Sequence, residues 1–334
     1  MRFVCLLMLI AAPLASAGDL LTPPKLEIIN SGMEFLMDGQ WNEAMTAFDK
    51  YNQVDTTDPG LYLFHAMTLL SAMTDRETNA YGGNFNKYLD SAEARCKSRL
   101  QECDRSDSAV VYLSRGHIRA YRSLYQARFG SSMAALDDGL KARGEYSRGL
   151  ELDSSLYDLY LGLGSYHYWK SVKSGILKTV GIFSNEREEG IEEVHLAIDS
   201  SLFSKGPAKS ALIWIYLNEK NYDSTVALAT EMYDRYPHSN TFVWPIAQAY
   251  FESEQFVKAA MYYNKIFESL KEKPGNYFNL IESAWWLFNA YAKMNENGKA
   301  YRVRRYVDSV SSEFPDKTIR RQRKKLYDMK HHRW

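Results

Sequence analysis

The sequence predicts an all-α protein built from repeated pairs of antiparallel helices. One spacing recurs along the chain: an aromatic residue is followed by Ala or Thr three positions later, and then by apolar residues after four and three further positions. Such spacings place side chains on one face of a helix. Two copies lie one directly after the other, at 206–239 and 240–273, which indicates a repeat of helical hairpins.

The repeated pattern is kept unevenly along the chain. Fair copies occupy 25–58 and 131–170, whereas 59–128 loses the pattern after Met67 and predicts longer helices. An insert at about 171–186 breaks the period. At about 34 residues per repeat, the chain has room for roughly six to seven helix pairs. The clearest pattern residues are Trp41, Ala44, Phe48 and Tyr51; Ala142, Tyr146 and Gly149; Tyr222, Thr225, Ala229 and Met232; and Phe256, Ala259, Tyr263 and Ile266.

This pattern resembles the tetratricopeptide repeat (TPR) family, with its W-x2-L-G-x2-Y…A-x3-F…P motif. Small residues such as Gly32 let two helices approach closely, aromatic residues fill the space beside them, and Pro237 ends a second helix. The resemblance implies a right-handed superhelical solenoid with a concave groove that binds a partner. The stretch Gly175–Phe183, followed by a helix led by Gly190, also resembles the Iml2 and tetratricopeptide-39 branch.

Residues 1–17 have the features of a cleavable signal peptide. Arg2 precedes the apolar run Phe3–Ala12, and Ala15-Ser16-Ala17 is a small-residue cleavage motif. We therefore expect a periplasmic or secreted protein that begins at Gly18 and has no transmembrane segment after removal of the signal. The repeat domain is then expected at 18–316, followed by a basic cap or tail at 317–334.

Composition and charge favour a folded protein without affinity for nucleic acid. The chain of 334 residues is 46% hydrophobic and 25% charged, which excludes disorder, and its formal net charge is zero. The basic tail has two interpretations: docking on an anionic surface, or a terminal helix with a polar outer face, which we favour. Cys96 and Cys103 lie too far apart on a continuous helix to form a disulfide, so we favour unpaired thiols.

The first helix of each pair is expected to line the groove, according to the resemblance. Four of the seven tryptophans stand at these positions. They indicate an aromatic-lined groove for a protein or peptide, since Trp and Tyr dominate binding hot spots; alternatively, they are core residues. The predicted groove residues are Tyr168, Trp169, Trp214, Asn218, Trp244, Gln248, Phe251, Trp285 and Asn289.

The equivalent N-terminal positions are wholly apolar, so we expect the insert, a neighbouring helix or a second protomer to cover them. They are Ile29, Met33, Leu36, Leu63, Met67 and Leu70. The Lys/Asn clamp for a C-terminal carboxylate, which the family uses, is absent here. Its positions are Leu161, Ser165, Ser210, Trp214, Trp244 and Gln248.

No catalytic or metal-binding motif stands out. His195 follows Glu192 and Glu193 but lacks the second His of a zinc protease motif, and His117 and His167 are interpreted as packed or surface residues. The sequence therefore predicts a non-catalytic scaffold of the cell envelope, without cofactor or metal, that binds a protein or peptide. A glycan-binding module is the alternative, since exposed Trp rings suit sugars equally well. The identity of the partner and the oligomeric state stay open.

Overall fold

The computed structural model describes residues 19–173, 185–273 and 275–332, and those residues contain helices and no strands. The predicted signal peptide lies outside the described residues, as does the core of the insert, including Gly175–Phe183. Ser171 at the start of the predicted insert still belongs to a helix. The all-α prediction is confirmed.

The N-terminal half begins with a short 3-10 turn, Asp19–Leu21, and continues with long helices. The three helices that occupy 59–128 are each longer than the second helix of the first hairpin, as predicted. Their bounds are α1 Pro23–Met37, α2 Trp41–Asp49, α3 Tyr51–Val54, α4 Gly60–Arg76, α5 Gly82–Arg99, α6 Arg105–Phe129, α7 Ser132–Leu152 and α8 Asp158–Lys173.

The C-terminal half has the more regular hairpins, in agreement with its stronger repeat pattern. Successive helices of this half pack against each other, except that the last helix packs on the helix two positions before it. The described residues thus form an all-α solenoid of helix pairs with one extra helix at the end. The bounds are α9 Arg187–Ser200, α10 Lys205–Asn218, α11 Tyr222–Arg235, α12 Val243–Glu252, α13 Phe256–Lys271, α14 Tyr277–Lys293, α15 Asn297–Ser309 and α16 Asp316–His331.

Small residues at the helix crossings make room for aromatic rings, as the sequence predicts. A Cβ on Gly32 would lie 2.2 Å from the ring of Phe48, so only glycine fits there. The ring of Tyr146 lies between Gly116 and Gly162 in the same way, 2.2 Å from a Cβ placed on either. Both aromatic rings are almost completely buried, so each crossing contributes a large apolar area to the core.

A left-handed residue closes the turn inside several hairpins. Gly39, Lys220, Glu254 and Asn295 have φ values of 73°, 59°, 60° and 57°, and each directly follows the end region of a first helix. The next residue donates its backbone N–H to a carbonyl five positions earlier, for example Asn221 to Tyr216 at 2.9 Å. This is the Schellman arrangement, which satisfies carbonyls at a helix C-terminus and turns the chain into the second helix.

The N-terminal hairpins fold back onto the C-terminal half of the chain. We call the polar contacts between them the closing seam. Met37 packs beside Ile213, Met232 and Tyr236 in the apolar contact under this seam. The seam joins Glu34 to Arg235 at 2.7 Å, Asp38 to His238 at 2.6 Å, the Asp75 carbonyl to Asn276 at 3.0 Å, and Glu77 to Arg321 at 2.8 Å.

The apolar N-terminal positions are covered by the chain itself, within the core of the N-terminal half. Ile29, Met33 and Leu36 are buried, as are Leu63 and Leu70, while Met67 is half-buried. The sequence leaves three possible covers: the insert, a neighbouring helix or a second protomer. In the described residues, helices of the same chain cover this end.

Both cysteines of the described residues are free thiols. The helix does end between them, because α5 stops at Arg99 and α6 starts at Arg105. Cys96 is buried, and burial raises its thiol pKa to about 12, whereas the Cys103 sulfur lies 3.3 Å from the Ser108 hydroxyl. The prediction of unpaired thiols holds, but for a different reason from the continuous helix on which it was based.

Candidate partner-binding groove

The predicted groove residues lie on the first helices of four successive pairs, α8, α10, α12 and α14. A tight turn follows α10, α12 and α14 and leads directly into the second helix of each pair. The four helices differ in how much of their predicted binding face is accessible. They form two groups, one around α8 and α10 and the other around α12 and α14.

Tyr168 on α8 is a core residue and offers no surface to a partner, since its exposed fraction is 0%. Its hydroxyl donates to Glu219 Oε1 at 2.5 Å and accepts from Asn218 Nδ2 at 2.7 Å. Burial, followed by the hydrogen bond to Glu219, raises its pKa to about 12. This residue corrects the expectation of an exposed ring: it positions Asn218 and Glu219 from beneath.

Trp214 and Asn218 form the most accessible part of the predicted wall. Trp214 is 37% exposed, which is a large fraction for such a large apolar side chain. Asn218, one turn further along α10, is also exposed. Trp169 is half-buried with its ring centre 5.0 Å from that of Tyr168. Residues four apart on a helix are neighbours on its surface, so Trp214 and Asn218 present one continuous face.

Glu219 and Arg187 extend this face with charge, and sequence reasoning missed both. Arg187 forms an ion pair with Glu219 and lies over the Tyr168 ring at 5.9 Å. The hydrogen bond from Arg187 lowers the pKa of Glu219. Arg187 comes from α9, just after the insert, so no periodic pattern in the sequence connects it to α10.

The predicted residues of α12 are half-buried within an aromatic cluster. The Trp244 ring lies 6.1 Å from Tyr263, and the Phe251 ring lies 4.9 Å from Trp286. Gln248 is half-buried and donates to Glu252 at 2.7 Å. One part of each ring therefore packs in the core, and the other part is accessible to solvent.

Trp285 and Asn289 on α14 are also half-buried, and their polar groups turn toward the protein. Asn289 donates to the Trp285 carbonyl at 2.7 Å, and Lys325 from α16 lies over the Trp285 ring at 5.3 Å. The adjacent Trp286, which was not predicted to line the groove, stacks on Tyr263 at 5.7 Å. Consecutive helical residues point about 100° apart, so the pair Trp285–Trp286 serves two different faces.

The basic C-terminal segment forms α16 and packs on α14. Gln322 is buried and donates to the Phe278 carbonyl at 3.1 Å, Met329 is buried, and Lys325 pairs with Glu282. The outer face carries Arg320, Arg323, Lys324 and Lys330, all exposed. The helix is thus amphipathic and covers the end of the solenoid.

No known protein family matches the sequence, and no curated protein matches it either. Among solved structures, the chain is similar to the C-terminal part of a TPR repeat-containing protein from Cytophaga hutchinsonii. The two are 16% identical, with a TM-score of 0.46, and the match covers 87% of this chain and 98% of the other. At this level of similarity, the assignment of the fold rests on the helix order and packing described above.

Among the described residues, no helix combines the length and the apolar composition that crossing a bilayer requires.

Proposed function

We propose that this protein is a non-catalytic scaffold that binds a protein or peptide partner along the wall formed by α10 and α12. The observation that carries this proposal is the exposed face of Trp214 and Asn218. A tryptophan side chain buried on binding contributes more free energy than most residues, and the neighbouring amide can fix the register of a bound backbone. The half-buried Trp244 and Gln248 continue the same kind of surface on the next pair.

The chemistry of this wall favours binding over catalysis. Its side chains are aromatic rings and amides, which act by contact and hydrogen bonding and do not transfer protons near neutral pH. The charged pair of Arg187 and Glu219 lies at the edge of the wall, where ion pairs select a partner by charge complementarity. We infer that the aromatic face supplies affinity and the pair supplies selectivity.

We further propose that the scaffold works in the cell envelope. The support is the positive start, apolar run and cleavage motif of residues 1–17. Expression of the full chain with a C-terminal tag, followed by cell fractionation and mass spectrometry, tests this. We expect a periplasmic or secreted product that begins at Gly18; a cytoplasmic product that retains residue 1 contradicts the proposal.

The binding wall can be tested by site-specific photo-crosslinking. A photo-crosslinking amino acid is placed at Asn218 on the wall or, as a control, at Val257, which is 74% exposed on α13. We expect one discrete protein adduct from position 218 in envelope extracts, its loss in a folded Trp214→Ala background, and no such adduct from position 257. Equal adducts from both positions, or an adduct that persists with Trp214→Ala, contradict the proposed wall.

A glycan is the alternative ligand, because an exposed indole beside an amide also suits sugar rings. Soluble cell-wall polysaccharide added before irradiation separates the two. A protein partner still gives its adduct, whereas a glycan-binding wall gives no protein adduct and shows polysaccharide-dependent quenching of Trp214 fluorescence.

A further inference from the structure

The crossing of α8 and α9 brings three candidate metal ligands together. The two helices approach through paired glycines: a Cβ on Gly164 would lie 2.6 Å from the Gly190 carbonyl oxygen. Because the backbones are so close, side chains about one turn from the crossing face each other across the hairpin. His167 on α8 thereby meets Glu189 and Glu193, which are four residues apart on α9 and share one face.

The donor atoms of these three residues are close enough to share one ion. One donor atom of each lies within 4.8 Å of the others, and His167 Nδ1 is 2.6 Å from Glu193 Oε2. Ligands around an ion at metal–ligand distances of about 2.1 Å lie roughly 3.4 Å apart. Small side-chain rotations therefore suffice to reach a coordinating geometry, without movement of the helices.

The burial of the three residues is graded from the core outward. His167 is 8% exposed, Glu193 is half-buried, and Glu189 is exposed. In the described part of the chain, His167 has Glu193 as its hydrogen-bond partner through Nδ1. The hydrogen bond to Glu193 raises the pKa of His167. A buried imidazole is thus held in place at the bottom of an open hollow, with one carboxylate beside it and one at the rim.

The charges around this hollow leave carboxylates in excess. The described residues that line it are Arg143, Ser147, Leu150, Glu151, Leu163, His167, Glu186, Glu189 and Glu193. Two of the glutamates pair with basic residues, Glu186 with Lys170 at 2.6 Å and Glu151 with Arg148 one turn earlier on α7. Glu189 and Glu193 lie beside Arg143 and His167, and His167 carries a positive charge only when it is protonated. A divalent cation would therefore relieve the repulsion between the two carboxylates.

We propose that His167, Glu189 and Glu193 form a binding site for a divalent transition-metal ion of the zinc type. One imidazole and two carboxylates are a donor set for Zn²⁺, Mn²⁺ or Co²⁺, whereas Ca²⁺ and Mg²⁺ prefer oxygen ligands alone. Three protein ligands leave at least one position on the open side, which water or a group from a partner can occupy. An imidazole must be deprotonated to bind a metal ion, so affinity should rise with pH.

The test uses the full chain, stripped with chelator, and titration calorimetry with ZnCl₂ at pH 7.5. We expect one ion per chain with a dissociation constant in the micromolar range or tighter, and an increase in Tm on addition of the ion. Glu189→Gln, at an exposed position that does not threaten folding, and Glu193→Gln should each weaken binding at least tenfold. Substitution by Co²⁺ should give weak visible bands without thiolate charge-transfer absorption.

Matched controls on the same helix distinguish this site from non-specific binding. Glu188→Gln removes an exposed charge next to the cluster, and His195→Gln removes the histidine of α9; both should bind Zn²⁺ as the parent does. A Cys103→Ser variant, expected to bind unchanged, excludes the partly exposed thiol. Absence of stoichiometric binding in the parent, tighter binding of Ca²⁺ or Mg²⁺ than of Zn²⁺, or unchanged binding in Glu189→Gln and Glu193→Gln overturns the proposal.

Discussion

At the scale of single residues, the most consequential polar side chain is the buried carboxylate of Glu77. It is 1% exposed, ends α4 in a left-handed conformation, and pairs with both Arg128 and Arg321. It thereby ties the end of α6 to the terminal helix α16. Arg128 and Arg321 are 43% and 33% exposed, so removal of Glu77 leaves both guanidinium groups in contact with water and costs mainly the hydrogen bonds to the charged carboxylate.

We therefore expect Glu77→Gln to reduce the free energy of unfolding by about 2 kcal/mol, the typical contribution of hydrogen bonds to a charged group. Chemical denaturation of parent and variant measures it. Glu268→Gln, which removes an exposed pair with Lys271, is the control and should cost less than about 1 kcal/mol. Equal losses of unfolding free energy in the two variants would show that water solvates Arg128 and Arg321 as well as Glu77 does.

A second residue-scale prediction concerns acid stability and Asp55. Burial acts to raise the pKa of this carboxyl, but hydrogen bonds from Thr57 and Lys25 outweigh it and hold the pKa at about 2. A depressed carboxyl pKa contributes stability above its unfolded value of about 3.9, and that contribution disappears as the pH falls toward 2. Asp55→Asn should therefore show a shallower loss of stability between pH 4 and 2 in denaturation curves. A parallel slope in both proteins contradicts the low pKa.

At the scale of helix pairs, the glycine crossing of α8 and α9 sets the spacing of the hairpin. Gly164→Ala places a Cβ 2.6 Å from the Gly190 carbonyl and 2.9 Å from the Val194 backbone nitrogen, so the helices must separate. We expect a loss of about 1–3 kcal/mol in the free energy of unfolding. Gly144→Ala is the matched control: it lies within α7 with nothing near its Cβ, and should stabilise by up to about 1 kcal/mol. A neutral Gly164→Ala would mean that the crossing relaxes freely.

The turns within the hairpins give a further prediction at this scale. Lys220 adopts φ 59°, which costs a residue with a Cβ about 1 kcal/mol relative to glycine. Lys220→Gly should therefore raise the free energy of unfolding by up to about 1 kcal/mol, measured by denaturation. Lys209→Gly, inside α10, should lower it by a similar amount. A destabilising Lys220→Gly would show that the lysine side chain contributes more than its backbone strain costs.

The sequence predicts the helix pairs well because their signals are local. Pattern residues such as Phe48 and Ala229 are buried where the spacing places them. The turns are harder to predict from the sequence. Gly39 is the residue type expected in a left-handed turn, but Lys220 and Glu254 adopt the same conformation although they are not glycines. The His167 cluster escapes sequence reasoning for another reason, since Glu189 and Glu193 become its neighbours only through the Gly164–Gly190 crossing.

At the scale of the whole molecule, the closing seam joins residues that lie far apart along the chain. The sequence does not predict this seam, because Glu34 and Arg235 are separated by 201 positions and belong to no common periodic pattern. Packing against the neighbouring helices buries Tyr168 beside Val194 and Leu212 and leaves Trp214 exposed, which periodicity alone cannot distinguish. The position of a predicted groove residue follows from the repeat, whereas its accessibility follows from how the neighbouring helices pack.

We expect the apolar contact around Met37 to contribute more than the ion pairs to the association of the N-terminal hairpins with the C-terminal half. Glu34 and Arg235 are largely exposed, and such pairs contribute about 1 kcal/mol or less. Met37 instead packs against the cluster of Ile213, Met232 and Tyr236, where a charge without a partner is costly. We expect Met37→Asp to separate the N-terminal hairpins from the C-terminal half and increase the radius of gyration in small-angle X-ray scattering, while Arg235→Gln leaves it unchanged.

The control for this opening is Met261→Asp, an equal substitution at a methionine that is 59% exposed on α13. It should scatter as the parent does, with the same helical circular dichroism as Met37→Asp. If Met37→Asp keeps the parent's scattering curve, the ion pairs and Asp75–Asn276 contact suffice for closure. If it opens, the apolar surface of Ile213 and Met232 that packs against Met37 should become exposed and increase the binding of a hydrophobic dye.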